Sequence, residues 1–157
     1  MATKVGSALP QELLDALGQA ELPSRLRGVL PLITVDAEGR PHPMLCSYLE
    51  VLAVNSGTIR VAIAGSGRSA RNLEERRAAT LIVVDPERTV YVKCRASGVP
   101  LTLGAFKRFE LRVEEVLEDA ADPSEGPVRI TSGISYGPPP SLDDPRVRST
   151  LDALRRA

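Results

Sequence analysis

Short runs of apolar and β-branched residues fill the centre of this 157-residue chain, and tight polar turns separate most of them. The runs are Val29–Val35, 43–54, Thr58–Ala64, 80–84, 89–97, 108–114 and 128–132. Asp36-Ala37-Glu38-Gly39, Asn55-Ser56-Gly57 and Asp85-Pro86-Glu87-Arg88 are turn chemistry. In Thr58–Ala64, Ile59, Val61 and Ile63 alternate with Thr58, Arg60 and Ala62, the period of a half-buried strand. Phe109, Leu111 and Val113 alternate in the same way with charged neighbours. Strands joined by turns this short must pair antiparallel. A sheet of six or seven such strands loses its exposed edges by closing into a barrel.

Three segments have helical spacing, and a fourth is a short, mixed stretch. Leu9, Leu13, Leu14 and Leu17 recur on one face, with Ser7 as the expected cap and Gly18 as the stop. Residues 70–77 predict about two turns, and 22–27 a further short segment. Near the C-terminus, Asp144 predicts a cap, with Pro145 at the first helical position and Val147, Leu151 and Leu154 as the apolar stripe.

Composition narrows the function classes. Twenty basic and twenty acidic residues balance to zero, which is unlike a non-specific nucleic-acid binder. Hydrophobic residues are 43% of the chain, enough for a packed core, and no apolar run approaches the ~20 residues of a membrane span. The N-terminus lacks a signal peptide's apolar core, so the expectation is a cytoplasmic protein of one domain over 1–157. Cys46 and Cys94 lie inside expected strands with no metal-ligand spacing, and they read as buried free thiols. No metal site is expected.

Gly65-Ser66-Gly67-Arg68-Ser69-Ala70-Arg71-Asn72-Leu73 concentrates glycines, hydroxyls and arginines between two strands. A phosphate needs convergent donors and little steric bulk. Gly65 and Gly67 allow close approach, Ser66 and Ser69 offer hydroxyls, and Arg68 offers a planar fork. Ser66 or Ser69 can cap the helix while its free N–H groups meet the anion. The same residues also read as a surface turn and a capped helix with solvated arginines. The spacing matches neither a Walker loop nor a dinucleotide fingerprint.

With Glu38-Gly39-Arg40-Pro41 before it and Ala79-Thr80-Leu81-Ile82-Val83-Val84-Asp85 after it, this segment resembles the pyridoxamine 5′-phosphate oxidase-like family. The likeness covers roughly residues 26–117. It implies a mainly β fold: an antiparallel, six- to seven-stranded split β-barrel of Greek-key type with an N-terminal and a C-terminal helix. It also implies a homodimer with flavin mononucleotide (FMN) in a groove between the copies. Carried over, Arg68 and Ser69 take the phosphate with Ser66 and Gly67, and Asn72 holds the helix start. The backbone of Met44, Leu45, Cys46 and Ser47 runs along the flavin, and Ala62, Ile63 and Ala64 line the other side. Tyr91, Lys93 or Arg95 either faces the groove or belongs to a plain polar surface.

Three departures shape the functional expectation. Ser69 stands where many members have lysine. The chain has no tryptophan. The arginine- and histidine-bearing C-terminal motif of the true oxidases is missing, so pyridoxamine phosphate oxidation is not implied. The expectation is an FMN-dependent oxidoreductase acting on a small molecule, its catalytic side chains unassigned. The alternative is a non-catalytic binding or sensor protein on the same fold, holding a deazaflavin cofactor, haem or nothing. His42, the one histidine, reads either as a substrate contact near the flavin or as a surface residue at a strand edge.

Overall fold

The computed structural model describes residues 1–157 except Glu87, Pro127 and Val128. Its elements are β1 (Thr3–Gly6), α1 (Gln11–Leu17), α2 (Leu22–Arg25), β2 (Val29–Val35), β3 (Pro41–Ser47), β4 (Val51–Asn55), β5 (Thr58–Ala64), α3 (Arg68–Glu75), β6 (Ala78–Asp85), β7 (Arg88–Leu103), β8 (Phe106–Ala120) and α4 (Pro145–Arg155). The strand order is β3-β2-β6-β7-β8-β5-β4, with β1 added to β8. All pairs are antiparallel. The non-consecutive neighbours β2–β6 and β5–β8 are the crossovers of a Greek key.

Connectivity forces the sheet to curl. β3 and β4 end the strand order, yet only residues 48–50 separate them in the chain. Such a link reaches roughly 14 Å at full stretch. Six flat strand spacings would put the two ends roughly 29 Å apart. The ends therefore meet, and the result is a barrel split between β3 and β4, mainly β as expected.

Alternation along the strands sets the inside. Leu30, Leu32 and Thr34 of β2 are fully buried, while Pro31, Ile33 and Val35 face outward and are half-buried. Leu81, Val92, Leu111 and Val116 continue the inner face. Helix α3 packs against β2, β3, β5, β6 and β7. One short helix meets five strands only by lying across an open end of the barrel. There Ala70 and Leu73 are buried. Asp144 caps α4 as expected, accepting from Arg146 N–H at 2.8 Å.

Proline positions fix the pairing. Pro41 and Pro43 lie on the edge strand β3 and have no N–H to give, so their nitrogens face away from β2. Pro31, paired with Leu45, faces the β6 side for the same reason. The β2–β6 ladder accordingly runs only from Leu32 to Thr34. The space beyond is filled by the segment around Ser135: Val29 N–H donates to Ile134 O at 3.1 Å, and Tyr136 N–H to Arg27 O at 2.8 Å.

Several boundaries differ from expectation. The run 43–54 is two strands, because the chain turns at 48–50 (Glu50 N–H to Ser47 O, 3.0 Å) while Tyr48 and Leu49 stay buried. The Glu50 carboxylate fixes that corner, accepting from Ser47 N–H at 2.6 Å and from Ser47 Oγ at 2.9 Å. Strand β7 runs past the expected 89–97 to Leu103, with a bulge at residues 98–100 and Gly98 at φ 68°. Helix α1 starts after Pro10 with no side-chain cap, since Leu9 N–H bonds Ser56 O at 2.7 Å and holds the preceding segment extended. Of the expected strand 128–132, Val128 lies outside the described residues, and 129–132 form no strand. The eighth strand is instead β1 at the N-terminus.

Candidate functional site

The loop Gly65-Ser66-Gly67 leaves β5 and enters α3. Gly67 occupies the N-cap with φ −73° and ψ 159°, and neither Ser66 nor Ser69 caps the helix. Gly65 N–H donates to Ala105 O at 2.8 Å, and Gly67 N–H to Ala64 O at 3.1 Å. Arg71 N–H to Gly67 O, at 3.3 Å, opens the intrahelical series. The N–H groups of residues 68–70 precede it, and they point out of the helix start as free donors.

The two loop glycines serve packing. Neither has a positive φ. A Cβ on Gly65 would meet Lys107 Cγ at 3.0 Å, and one on Gly67 would meet Ala64 O at 3.2 Å. The sequence reading had them admit a ligand. The structure shows what already lies against them: a lysine stem at one and a carbonyl at the other.

Two arginines at the helix start are uncommitted. Arg68 and Arg71 are exposed, and among the described residues neither has an ion pair or a side-chain hydrogen bond. They line a cleft of about 320 Å³ with Asp36, Glu38, Arg40 and His42. The Glu38-Gly39-Arg40-Pro41 turn and the start of α3, far apart in sequence, are thus two walls of one cleft. Arg40 is committed within its own turn, to Asp36 at 3.0 Å and Glu38 at 3.1 Å. The Arg40 N–H and guanidinium hold the Asp36 carboxyl below its ordinary range.

Ser69 is 6% exposed, and its hydroxyl has no hydrogen-bond partner among the described residues. A buried hydroxyl left unpaired costs about 1–3 kcal/mol. The side-chain atom that is both sealed from solvent and unpartnered is Arg108 Nε, so the Ser69 oxygen keeps access to the surface. Asn72 has a different role. Its buried Nδ2 donates to Thr34 Oγ1 at 2.9 Å, and Thr34 donates to His42 O at 3.2 Å. It ties α3 to β2 and β3.

The remaining expected residues divide by strand face. Met44 and Cys46 point inward, and Leu45 outward at 49% exposure. With Pro43 setting the phase, the backbone groups of residues 45 and 47 face the free edge and those of 44 and 46 bond β2. Ser47 N–H is taken by Glu50, and Leu45 O accepts from Tyr136 Oη at 3.4 Å. That leaves Leu45 N–H with Pro41 O and Pro43 O on this edge. Ala62 and Ile63 are core, and Ala64 reaches the surface beside the loop. Lys93 pairs with Glu115 at 2.7 Å and Arg95 with Glu114 at 3.2 Å. Both cysteines are buried free thiols. Burial pushes Cys94 up to about 12 and Cys46 higher still, which removes thiolate chemistry at neutral pH.

Sequence reasoning missed Lys107. It pairs with Ile63 across β5–β8, lies against Gly65 and reaches Glu74 of α3 at 2.5 Å. The usable signal was the alternation of Leu111 and Phe109, which extends back to Lys107 and places it beside the loop.

This barrel, with a helix across its mouth, has the split-barrel fold of pyridoxamine 5′-phosphate oxidase-like proteins. It is similar to a protein of Lactobacillus delbrueckii provisionally described as a pyridoxamine 5′-phosphate oxidase, with TM-score 0.57 and 17% identity over 72% of this chain and 97% of that one. It is similar also to an FMN-binding protein of Syntrophomonas wolfei, with TM-score 0.54 and 14% identity over 70% and 88%. An F420 reductase gives TM-score 0.52 and 16% identity over 69% and 98%. No family model matches the chain. No curated protein matches it in sequence. Among the described residues no helix is long and apolar enough to cross a membrane.

Proposed function

We propose that this protein binds FMN, with the phosphate at the start of α3, and uses it as an oxidoreductase on a small molecule. The observation that carries this is the set of uncommitted donors there: Arg68, Arg71, the Ser69 hydroxyl and the N–H groups of 68–70. Charge-assisted hydrogen bonds contribute about 1.5–3 kcal/mol each, so three of them hold a phosphomonoester. The flavin supplies the redox chemistry when bound. These residues would hold its phosphate, and Leu45 N–H and Pro43 O on the free edge of β3 would be open to its ring or ribityl chain. The fold's likeness to an FMN-binding protein and an F420 reductase supports the reading. The same phosphate site suits a deazaflavin cofactor.

The outer sheet face favours a homodimer. Leu45 (49% exposed), Ile134 (57%) and Tyr136 are exposed large hydrophobics near half-buried Pro31 and Ile33. A second copy covers them and brings the groove under a partner surface.

The test is a flavin titration read by the flavin's own emission, since the chain has no tryptophan. FMN quenches on binding, and Arg68→Ala weakens FMN by about tenfold or more while leaving riboflavin unchanged. An unchanged FMN affinity in Arg68→Ala would sink the site. Turnover is tested by reoxidation of the reduced, loaded protein with candidate acceptors.

A further inference from the structure

Lys107 belongs to β8, yet its stem lies on the loop that leads into α3. Gly65 is a glycine because that stem needs its space: a Cβ would stand 3.0 Å from Lys107 Cγ and 3.5 Å from Cδ. The Gly65 N–H bond to Ala105 O, 2.8 Å, ties the same loop to the β7–β8 turn. Its ammonium rests on Glu74 at 2.5 Å. Lys107 is 26% exposed and Glu74 36%. A pair this open to solvent adds little to stability and is readily given up. The neighbouring helix start carries donors and cations, its free N–H groups with Arg68 and Arg71, which keep the ammonium away while the site is empty and favour it once a dianion is bound.

The geometry points to Lys107 as a further cation of the α3 site, parked on Glu74 while the site is empty and released to a phosphomonoester when one binds. This rests on the proposed phosphate reading. It supplies from a distant strand a positive charge that Ser69 does not carry. It also makes Glu74 an internal competitor: the carboxylate balances the lysine in the free protein, and an incoming dianion displaces it. No bond is made or broken beyond hydrogen bonds, and the site selects dianionic phosphate esters over neutral analogues.

The test uses the full-length protein with FMN and riboflavin as probes. Lys107→Met keeps the stem on Gly65 and removes the charge. It is expected to weaken FMN by about tenfold and to leave riboflavin unchanged. Glu74→Gln frees the ammonium and is expected to tighten FMN by about threefold. Lys107→Arg restores most of the lost affinity. If Lys107→Met and Glu74→Gln both leave FMN affinity within about twofold while Arg68→Ala lowers it, Lys107 is a structural residue and the phosphate reading stands. If Arg68→Ala also has no effect, the phosphate reading fails and this inference with it. Melting temperatures of the variants identify any loss that comes from misfolding, and Glu74→Gln, at an exposed helix position, gives an answer independent of Lys107→Met.

Discussion

Asn72 donates to Thr34, and Thr34 donates to the carbonyl of His42, so three elements share one buried chain of hydrogen bonds. The resemblance places Asn72 at a helix start. Its partner in the fold explains why an amide is needed there: it reaches a hydroxyl that is itself fully buried. Asn72→Ala leaves a cavity and removes the donor. A loss of about 1–3 kcal/mol in urea unfolding is expected, and FMN affinity should fall less than for Arg68→Ala. The thiols provide a second check at this scale. With Cys94 pushed up to about 12 by burial, alkylation of native protein at pH 8 should be slow for both cysteines and complete on unfolding. Fast modification of either would contradict its burial.

Helix α3 is short, but it closes one end of the barrel, and Leu73 is the side chain that fills the opening. Leu73→Ala should cost about 2–5 kcal/mol by urea denaturation. Helix α4 is held differently. Arg60 donates to Leu154 O at 3.1 Å and Arg156 O at 2.9 Å, and Arg108 donates to Ala153 O and Arg156 O. Two barrel arginines thus satisfy the carbonyls at the helix's negative end. At the other end, the Arg146 backbone N–H holds the Asp144 carboxyl below its ordinary value. A carboxyl whose folded pKa is depressed stabilises above its unfolded pKa, and that contribution is lost as pH falls through the folded value. The first turn of α4 should therefore loosen in acid below the normal aspartate range. Carbon-13 titration of Asp144 checks the sign, and an elevated pKa would refute it.

Legibility followed local pattern at this level. Strands with clean alternation and turns with Asp, Asn and Gly were readable, as was the Asp144-Pro145 helix start. The break inside 43–54 was not, because Tyr48 and Leu49 are buried at the corner and keep the run apolar. The continuation of β7 past residue 97 was not readable either, because Gly98 and Pro100, which form the bulge, break the strand pattern. Strand β1 carries no apolar run, and its pairing with β8 exists only in three dimensions. At the site, the loop and the Glu38–Pro41 turn were visible as separate motifs. The cleft between that turn and the start of α3 required the helix to cross the barrel mouth, and Lys107 beside the loop required β8 to pair with β5.

For the whole molecule, the open question is what lies against the outer face of β2 and β3. If a second copy covers it, Leu45→Glu should convert a dimer to a monomer in light scattering and weaken FMN along with assembly. A monomeric wild-type protein at micromolar concentration would remove the interface, and with it a shared groove. Because Lys107, Arg68 and Ser69 all belong to one chain, phosphate affinity should survive in such a monomer better than affinity for the flavin ring.

The prolines of β3 bear on the molecule's company as well as its ligand. An exposed border that offers alternating donors and acceptors invites other chains to extend the sheet, one strand after another. Here Pro41 and Pro43 withhold two donors, Glu50 occupies a third at Ser47, and Tyr136 covers the Leu45 carbonyl. With one amide left, the border cannot template a fibril. At this border a neighbour must recognise the protein by the shape of its side chains, which makes association there selective.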